Sequence, residues 1–246
     1  EDIINQFAEN SITDLILDLR FNPGGAVAQS RYLASAIAGT SHLDDTFVKV
    51  TFRNGNTQDW KFRGGPNDQD GLGIAKDLGL DRLYVIGSYG TASASELVIN
   101  SLRGIDFPVY IYGGRTEGKN VGMTTTQTSY KGRTYLFSPI TFRVANAKGF
   151  GDYPDGFPAD VVVNNQNASY ADDKDNLFPY SFGDWGSMGF NVALRYAYED
   201  IIGISHSNAP ATRSASFEPI PVGHTGLKQP QQGRFGNIIY LPASQR

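Results

Sequence analysis

The chain contains no cysteine, which excludes disulfides, thiolate metal sites and a cysteine nucleophile. Only three histidines are present, too few for a His-rich metal site. Basic residues are also in deficit: 21 Lys and Arg stand against 25 Asp and Glu, for a net charge of -4. No dense Lys/Arg block compensates, which argues against an electrostatic binder of nucleic acid or of an anionic membrane. No apolar run approaches the roughly 18 residues that a membrane-spanning helix needs. The chain opens Glu1-Asp2-Ile3, with neither a methionine nor a leader-like apolar stretch. A signal peptide, lipid anchor or amino-terminal domain is therefore expected to have been removed. What remains is 246 residues, 40% of them hydrophobic and 28 of them glycine, enough to bury the core of one large α/β domain.

Apolar patterning along the chain repeats a strand-turn-helix unit. Leu15 to Leu19 reads as a strand buried on both faces, stopped by Asn22-Pro23-Gly24-Gly25 and followed by a helix over 26–38. Residues 46–52 and 57–62, separated by Arg53-Asn54-Gly55-Asn56, read as a hairpin. Leu83 to Ile86 is the next buried strand and turns through Gly87-Ser88-Tyr89-Gly90 into a helix over 92–102. A third strand is expected at 108–112, β-rich segments over 124–144 and a short strand at 160–163. Residues 63–73 read as a surface loop and 188–202 as an amphipathic helix. Beyond Gly203 periodicity fades, and 203–246 reads as an extended tail.

Three of the turns carry residues suited to acyl chemistry. Pro23-Gly24-Gly25 is a turn by default, yet Gly-Gly also lets backbone amides approach a developing oxyanion. Thr91-Ala92-Ser93-Ala94-Ser95-Glu96 opens a helix, so Ser93 or Ser95 is either a plain N-cap or a nucleophile at the positive end of the helix dipole. Gly-x-Ser-x-Gly is absent, and His42, His206 and His224 lie in loop or tail contexts without an evident acidic partner. Lys119, in Thr116-Glu117-Gly118-Lys119-Asn120 after the third strand, is a solvated charge by default. Desolvated in a cleft, it becomes a base able to deprotonate a serine. The stretch lacks the spacing of a phosphate-binding P-loop.

Taken in order, DLILDLRFNPGG, TASASE, TEGKNVG and GFPADVVV make the chain resemble the C-terminal processing (tail-specific) serine peptidases, relatives of the tricorn-core protease, over roughly residues 3 to 202. The resemblance implies an α/β, crotonase-like or ClpP-like peptidase core with added hairpins. It also implies Ser93 as nucleophile and Lys119 as general base. Oxyanion donors are implied at the amides of Ala94 and Gly24, with Gly25 second to Gly24. Ser95, Glu96 and Thr116 become supporting residues, Thr116 holding the lysine loop. Two positions depart from the family: Asn120 stands where a glycine is usual, and Met123 where a glutamine orients the lysine. Asn120, Gln127 and Glu96 are the candidates to replace that glutamine. The PDZ domain usual in the family has no counterpart in residues 1–13.

The resulting expectation is a catalytic core over 1–202, with the tail over 203–246 packed on it or projecting from it. The implied activity is hydrolysis of peptide bonds near the C-termini of protein or peptide substrates, without metal or cofactor. No nucleic-acid partner or membrane-spanning segment is expected, and the family suggests an exported, periplasmic or cell-surface location. Two other readings compete. One is a peptidase-like module that only binds peptides by strand addition, motivated by the missing glutamine. The other is a crotonase-like acyl-thioester enzyme, which leaves Ser93 and Lys119 without a role.

Overall fold

The computed structural model describes residues 2–63, 76–162, 196–197 and 199–203. Helix α1 (Asp2–Glu9) leads into strand β1 (Ile16–Asp18) and helix α2 (Val27–Ala38). The hairpin β2 (Thr46–Phe52) and β3 (Thr57–Lys61) follows. Then come β4 (Leu83–Gly87), α3 (Ala94–Gly104) and β5 (Val109–Gly113). Strands β6 (Val121–Met123), β7 (Thr126–Tyr130), β8 (Arg133–Phe137), β9 (Ile140–Ala145) and β10 (Val161–Val162) complete the described elements.

Two sheets enclose the helical layer. The first is parallel throughout, in the order β1-β4-β5-β10. The second is antiparallel, in the order β3-β2-β9-β6, while β7 and β8 form a separate two-stranded hairpin. Helix α3 touches α2, β5 of the first sheet, and β2 and β9 of the second, so it lies between them.

Side-chain alternation explains this layering. Leu83 and Val85 of β4, with Val109 and Ile111 of β5, enter the main core beside Leu97, Ile99 and Leu102 of α3. Tyr84, Ile86 and Tyr112 point to the other face, where Tyr196, Ala197 and Ile201 cover them. The Tyr112 hydroxyl donates to Asp200 there. Each aliphatic side chain removed from water contributes roughly 1.5–3 kcal/mol, so a strand with two covered faces is held from both sides.

Several expectations from the sequence change. Among the described residues β1 pairs with β4 alone, its three residues are only half-buried, and the main core takes mainly Leu15, Leu17 and Leu19. Helix α1 and strand β6 are additional elements, and α1 packs Ile4, Phe7 and Ala8 on the core. Of the surface loop expected at 63–73 only Arg63 is described, and it is fully buried; the rest of that stretch, most of the 188–202 helix and the tail after Gly203 lie outside the described residues. Within 196–203, Tyr196, Ala197 and 199–201 are helical. Among the described residues no helix is long and apolar enough to cross a membrane.

Candidate active site

The register Ile16↔Tyr84 and Leu83↔Val109 brings the carboxyl ends of β1, β4 and β5 level, with Asp18 opposite Ile86 and Gly87 opposite Gly113. The loops leaving these three ends carry Gly24, Ser93 and Lys119. Carboxyl ends of parallel strands are where open α/β sheets collect ligands.

The first two loops are fastened to each other. The Ser88 hydroxyl donates to the Arg20 carbonyl and the Thr91 hydroxyl to the Leu19 carbonyl. The Asn22 carbonyl accepts from the Ala92 amide at 3.1 Å and from the Ser95 hydroxyl at 3.0 Å. Ser95 is thereby committed to holding the glycine turn. Gly24 sits against the serine with φ +99°; a Cβ there would lie 2.6 Å from the Ala94 nitrogen and 2.8 Å from the Ser93 Cβ. Only glycine fits so close an approach in that conformation.

Ser93 begins α3 in a conformation foreign to an ordinary N-cap. Its φ of 59° and ψ of -116° place a non-glycine residue in a region that costs about 1–3 kcal/mol. Its Oγ is buried, the residue being 1% exposed, and faces the Glu96 amide without completing a full hydrogen bond among the described residues. The reciprocal capping-box arrangement is nevertheless present, with the Ser93 side chain facing the Glu96 amide and the Glu96 side chain bound to the Ser93 amide, so Ser93 occupies the N-cap place in a backbone conformation foreign to one.

A single buried carboxylate joins the serine to the lysine loop. Glu96 Oε2 accepts from the Ser93 amide at 2.9 Å and from the Lys119 amide at 2.8 Å. Its Oε1 accepts from the Thr116 hydroxyl and the Gly118 amide, both at 2.7 Å. Glu96 is fully buried, so these four donors replace water around its charge. The Glu117 amide adds a bond to the Thr91 carbonyl at 3.0 Å.

The Gly156-Phe157 stretch clamps the lysine loop from behind. Thr116 donates its amide to the Phe157 carbonyl, and its hydroxyl accepts from the Phe157 amide at 2.7 Å. The Thr116 carbonyl lies against the Cα of Gly156, and Gly118 abuts the Pro154 carbonyl. Asp160, two residues before Val162, accepts from the Ile111 amide at 2.7 Å and anchors this segment to β5.

Burial lowers the Lys119 pKa below its ordinary value, against the opposing pull of Glu117 and Glu96. Depletion of the charged form is what a lysine base requires. The residues weighed as substitutes for the family glutamine are dispersed. The Asn120 side chain donates to the Gly151 carbonyl, and Gln127 lies on the exposed β7–β8 hairpin. Glu96 meets the lysine through its main-chain amide, and Met123 ends the edge strand β6.

Gly24 differs from its expected role as an amide donor. Its N–H donates to Asn22 Oδ1 at 3.0 Å, whereas among the described residues the amides of Gly25 and Ala94 have no hydrogen-bond partner. Of the histidines, His42 pairs with Asp45 at 2.7 Å in the segment after α2, and His206 and His224 lie outside the described residues.

The sequence profile of peptidase family S41 matches residues 1–147, a span that includes Gly24, Ser93 and Lys119. A protein of Staphylococcus haemolyticus (strain JCSC1435), described as a CtpA-like serine protease, is 28% identical over 119 residues, covering 48% of this chain and 21% of its own length. A crystal structure from Bacteroides fragilis NCTC 9343, assigned as an S41 protease, superposes with a TM-score of 0.63 at 23% identity, over 83% of this chain and 49% of that one. The photosystem II D1 C-terminal processing protease gives a TM-score of 0.48 at 23% identity, over 68% of this chain and 39% of its own. This chain thus spans half or less of the length of these relatives.

Proposed function

Because the chain belongs to peptidase family S41, we propose that it is a serine endopeptidase that cleaves protein substrates near their C-termini through Ser93 and Lys119. The observation that carries this reading is the Glu96 carboxylate, which holds the amides of Ser93 and Lys119 on one oxygen beside a buried, strained serine.

The steps follow from the chemistry of these groups. Neutral Lys119 takes the Ser93 proton as Oγ attacks the scissile carbonyl carbon, giving a tetrahedral oxyanion. The Ala94 amide at the start of α3 and a glycine-turn amide stabilise that charge. Gly25 is the better second donor, because the Gly24 amide is already engaged by Asn22. The part of Gly24 is to lack a side chain beside Ser93 and Ala94. The ammonium of Lys119 then protonates the leaving amine, and the C–N bond breaks to leave an acyl ester on Ser93. Water, deprotonated by Lys119, hydrolyses the ester and releases the carboxylic acid product.

Ser93 Oγ is out of contact with solvent, so substrate entry requires its surroundings to part. The layered α/β arrangement fits a crotonase-like, ClpP-like core, and the family resemblance favours an exported location. The test is intact-mass analysis after exposure to a fluorophosphonate. One adduct on the native chain and none on Ser93→Ala supports the reading; a native chain that stays unmodified after prolonged exposure overturns it.

A further inference from the structure

Two large aromatic side chains stand in solvent where the first two catalytic loops abut. Phe21 is 53% exposed and Tyr89 is 78% exposed. Their backbones are neighbours: a Cβ on Gly90 would lie 3.3 Å from the Phe21 Cα and 2.9 Å from the Arg20 carbonyl oxygen, which the Ser88 hydroxyl already binds. Tyr89 stands between Ser88 and Gly90. Phe21 immediately precedes Asn22, whose carbonyl holds Ala92 and Ser95 on either side of Ser93.

Phe21 is exposed but backed on one side. The Arg20 guanidinium lies over its ring at 5.7 Å, and that guanidinium is held bidentately by Asp18, Nε on Oδ1 at 3.1 Å and a terminal nitrogen on Oδ2 at 3.2 Å. The Arg20 amide also donates to Asp18 Oδ1. Arg20 itself is buried. A ring backed on one face by a held guanidinium and otherwise open to water offers a contact surface that a ligand can cover.

We propose that Phe21 and Tyr89 form an apolar rim that seats an aliphatic or aromatic side chain of the substrate within a few residues of the scissile bond. The proposal rests on the peptidase reading and adds a determinant of substrate class to it. The occupant follows from position: the rim continues the loops that carry the glycine turn and Ser93, and it lies outside a nucleophile that is itself buried. Among the described residues, the loop stretches that form the rim, 20–22 and 88–90, carry no Lys or Arg apart from the buried Arg20. It therefore suits an apolar peptide side chain better than an anionic membrane surface.

The test is a peptide series of the native chain's substrates in which each position flanking the cleaved bond is varied between Gly, Leu and Phe. It is assayed as kcat/KM on the native chain, Phe21→Ala, Tyr89→Ala and the double variant. Burial of a Leu- or Phe-sized side chain on two rings predicts that one position prefers Leu or Phe over Gly about tenfold or more in the native chain. The double variant should bring that ratio near one. An unchanged ratio, or an equal loss for every peptide, overturns the rim. So does binding to phosphatidylserine vesicles that the double variant abolishes while peptide selectivity stays the same. Fluorophosphonate labelling of the native chain separates the two levels: a labelled Ser93 with unaltered selectivity removes the rim alone, whereas an unlabelled chain removes the peptidase reading and the rim with it.

Discussion

The amides of Ser93 and Lys119 donate to the same atom, Oε2 of Glu96. The serine and lysine loops, which leave different strands, are thus tied together through one carboxylate. On the proposed mechanism Glu96 acts as a positioning residue. Glu96→Gln keeps the volume but offers an NH2 where at least one pair of donors expects an oxygen. The expected result is a fall of about 100-fold or more in kcat with a smaller change in KM, in a chain that still folds. Glu96→Ala leaves four donors without their acceptor and should also lower stability by several kcal/mol, at roughly 1–3 kcal/mol for each unsatisfied group. Steady-state kinetics beside thermal melts check both, and wild-type kcat in Glu96→Gln contradicts the positioning role.

Ser93 stores backbone strain, which separates activity from stability in a way an ordinary serine does not. Ser93→Ala should abolish turnover and leave the fold intact. Ser93→Gly should be equally inactive yet more stable than native by about 1 kcal/mol, because glycine accepts positive φ at no steric cost. Ser95→Ala loses one hydrogen bond to Asn22 and should cost about 1 kcal/mol with a mild effect on rate. Denaturant melts and peptidase assays on the three variants decide the matter. A Ser95→Ala chain that is dead while Ser93→Ala works would reverse the assignment.

The two glycines of the turn should behave differently. A Cβ on Gly24 meets the Ala94 nitrogen and the Ser93 Cβ, whereas on Gly25 its nearest neighbour is the flexible end of Gln29 at 3.9 Å. Gly24→Ala should lower kcat by about 100- to 1000-fold, the typical loss when an oxyanion donor is displaced. Gly25→Ala keeps its amide and should lose far less. Equal kinetic losses in the two variants would remove the steric argument for Gly24.

Much of this site was legible in the sequence because its parts sit on strongly patterned elements. Leu83 to Ile86 and Val109 to Tyr112 are buried strands, and the serine and lysine follow their carboxyl ends. The role of Glu96 was visible only as a supporting residue. Its four donors come from positions 93, 116, 118 and 119, and no local spacing announces a hub formed across loops. Engagement of the Gly24 amide by Asn22 is a short-range turn bond that Asn-x-Gly allows, but the family pattern pointed elsewhere. Strand β6 escaped for another reason: Val121-Gly122-Met123 has no alternation and becomes a strand only because β9 pairs with it. Helix α1 did carry a signal, with Ile4, Phe7 and Ala8 at helical spacing.

The central claim is that Lys119 is the base for Ser93, and the pH dependence of kcat/KM tests it most directly. Burial lowers the lysine pKa, so the reactive neutral amine gains population as pH rises through a value below the ordinary 10.5. The account predicts a single ascending limb of that kind in the native chain. Lys119→Arg should be inactive across the whole range, because guanidinium keeps its proton. An active Lys119→Arg chain with the same ascending limb would contradict it, and the base would then have to be sought elsewhere.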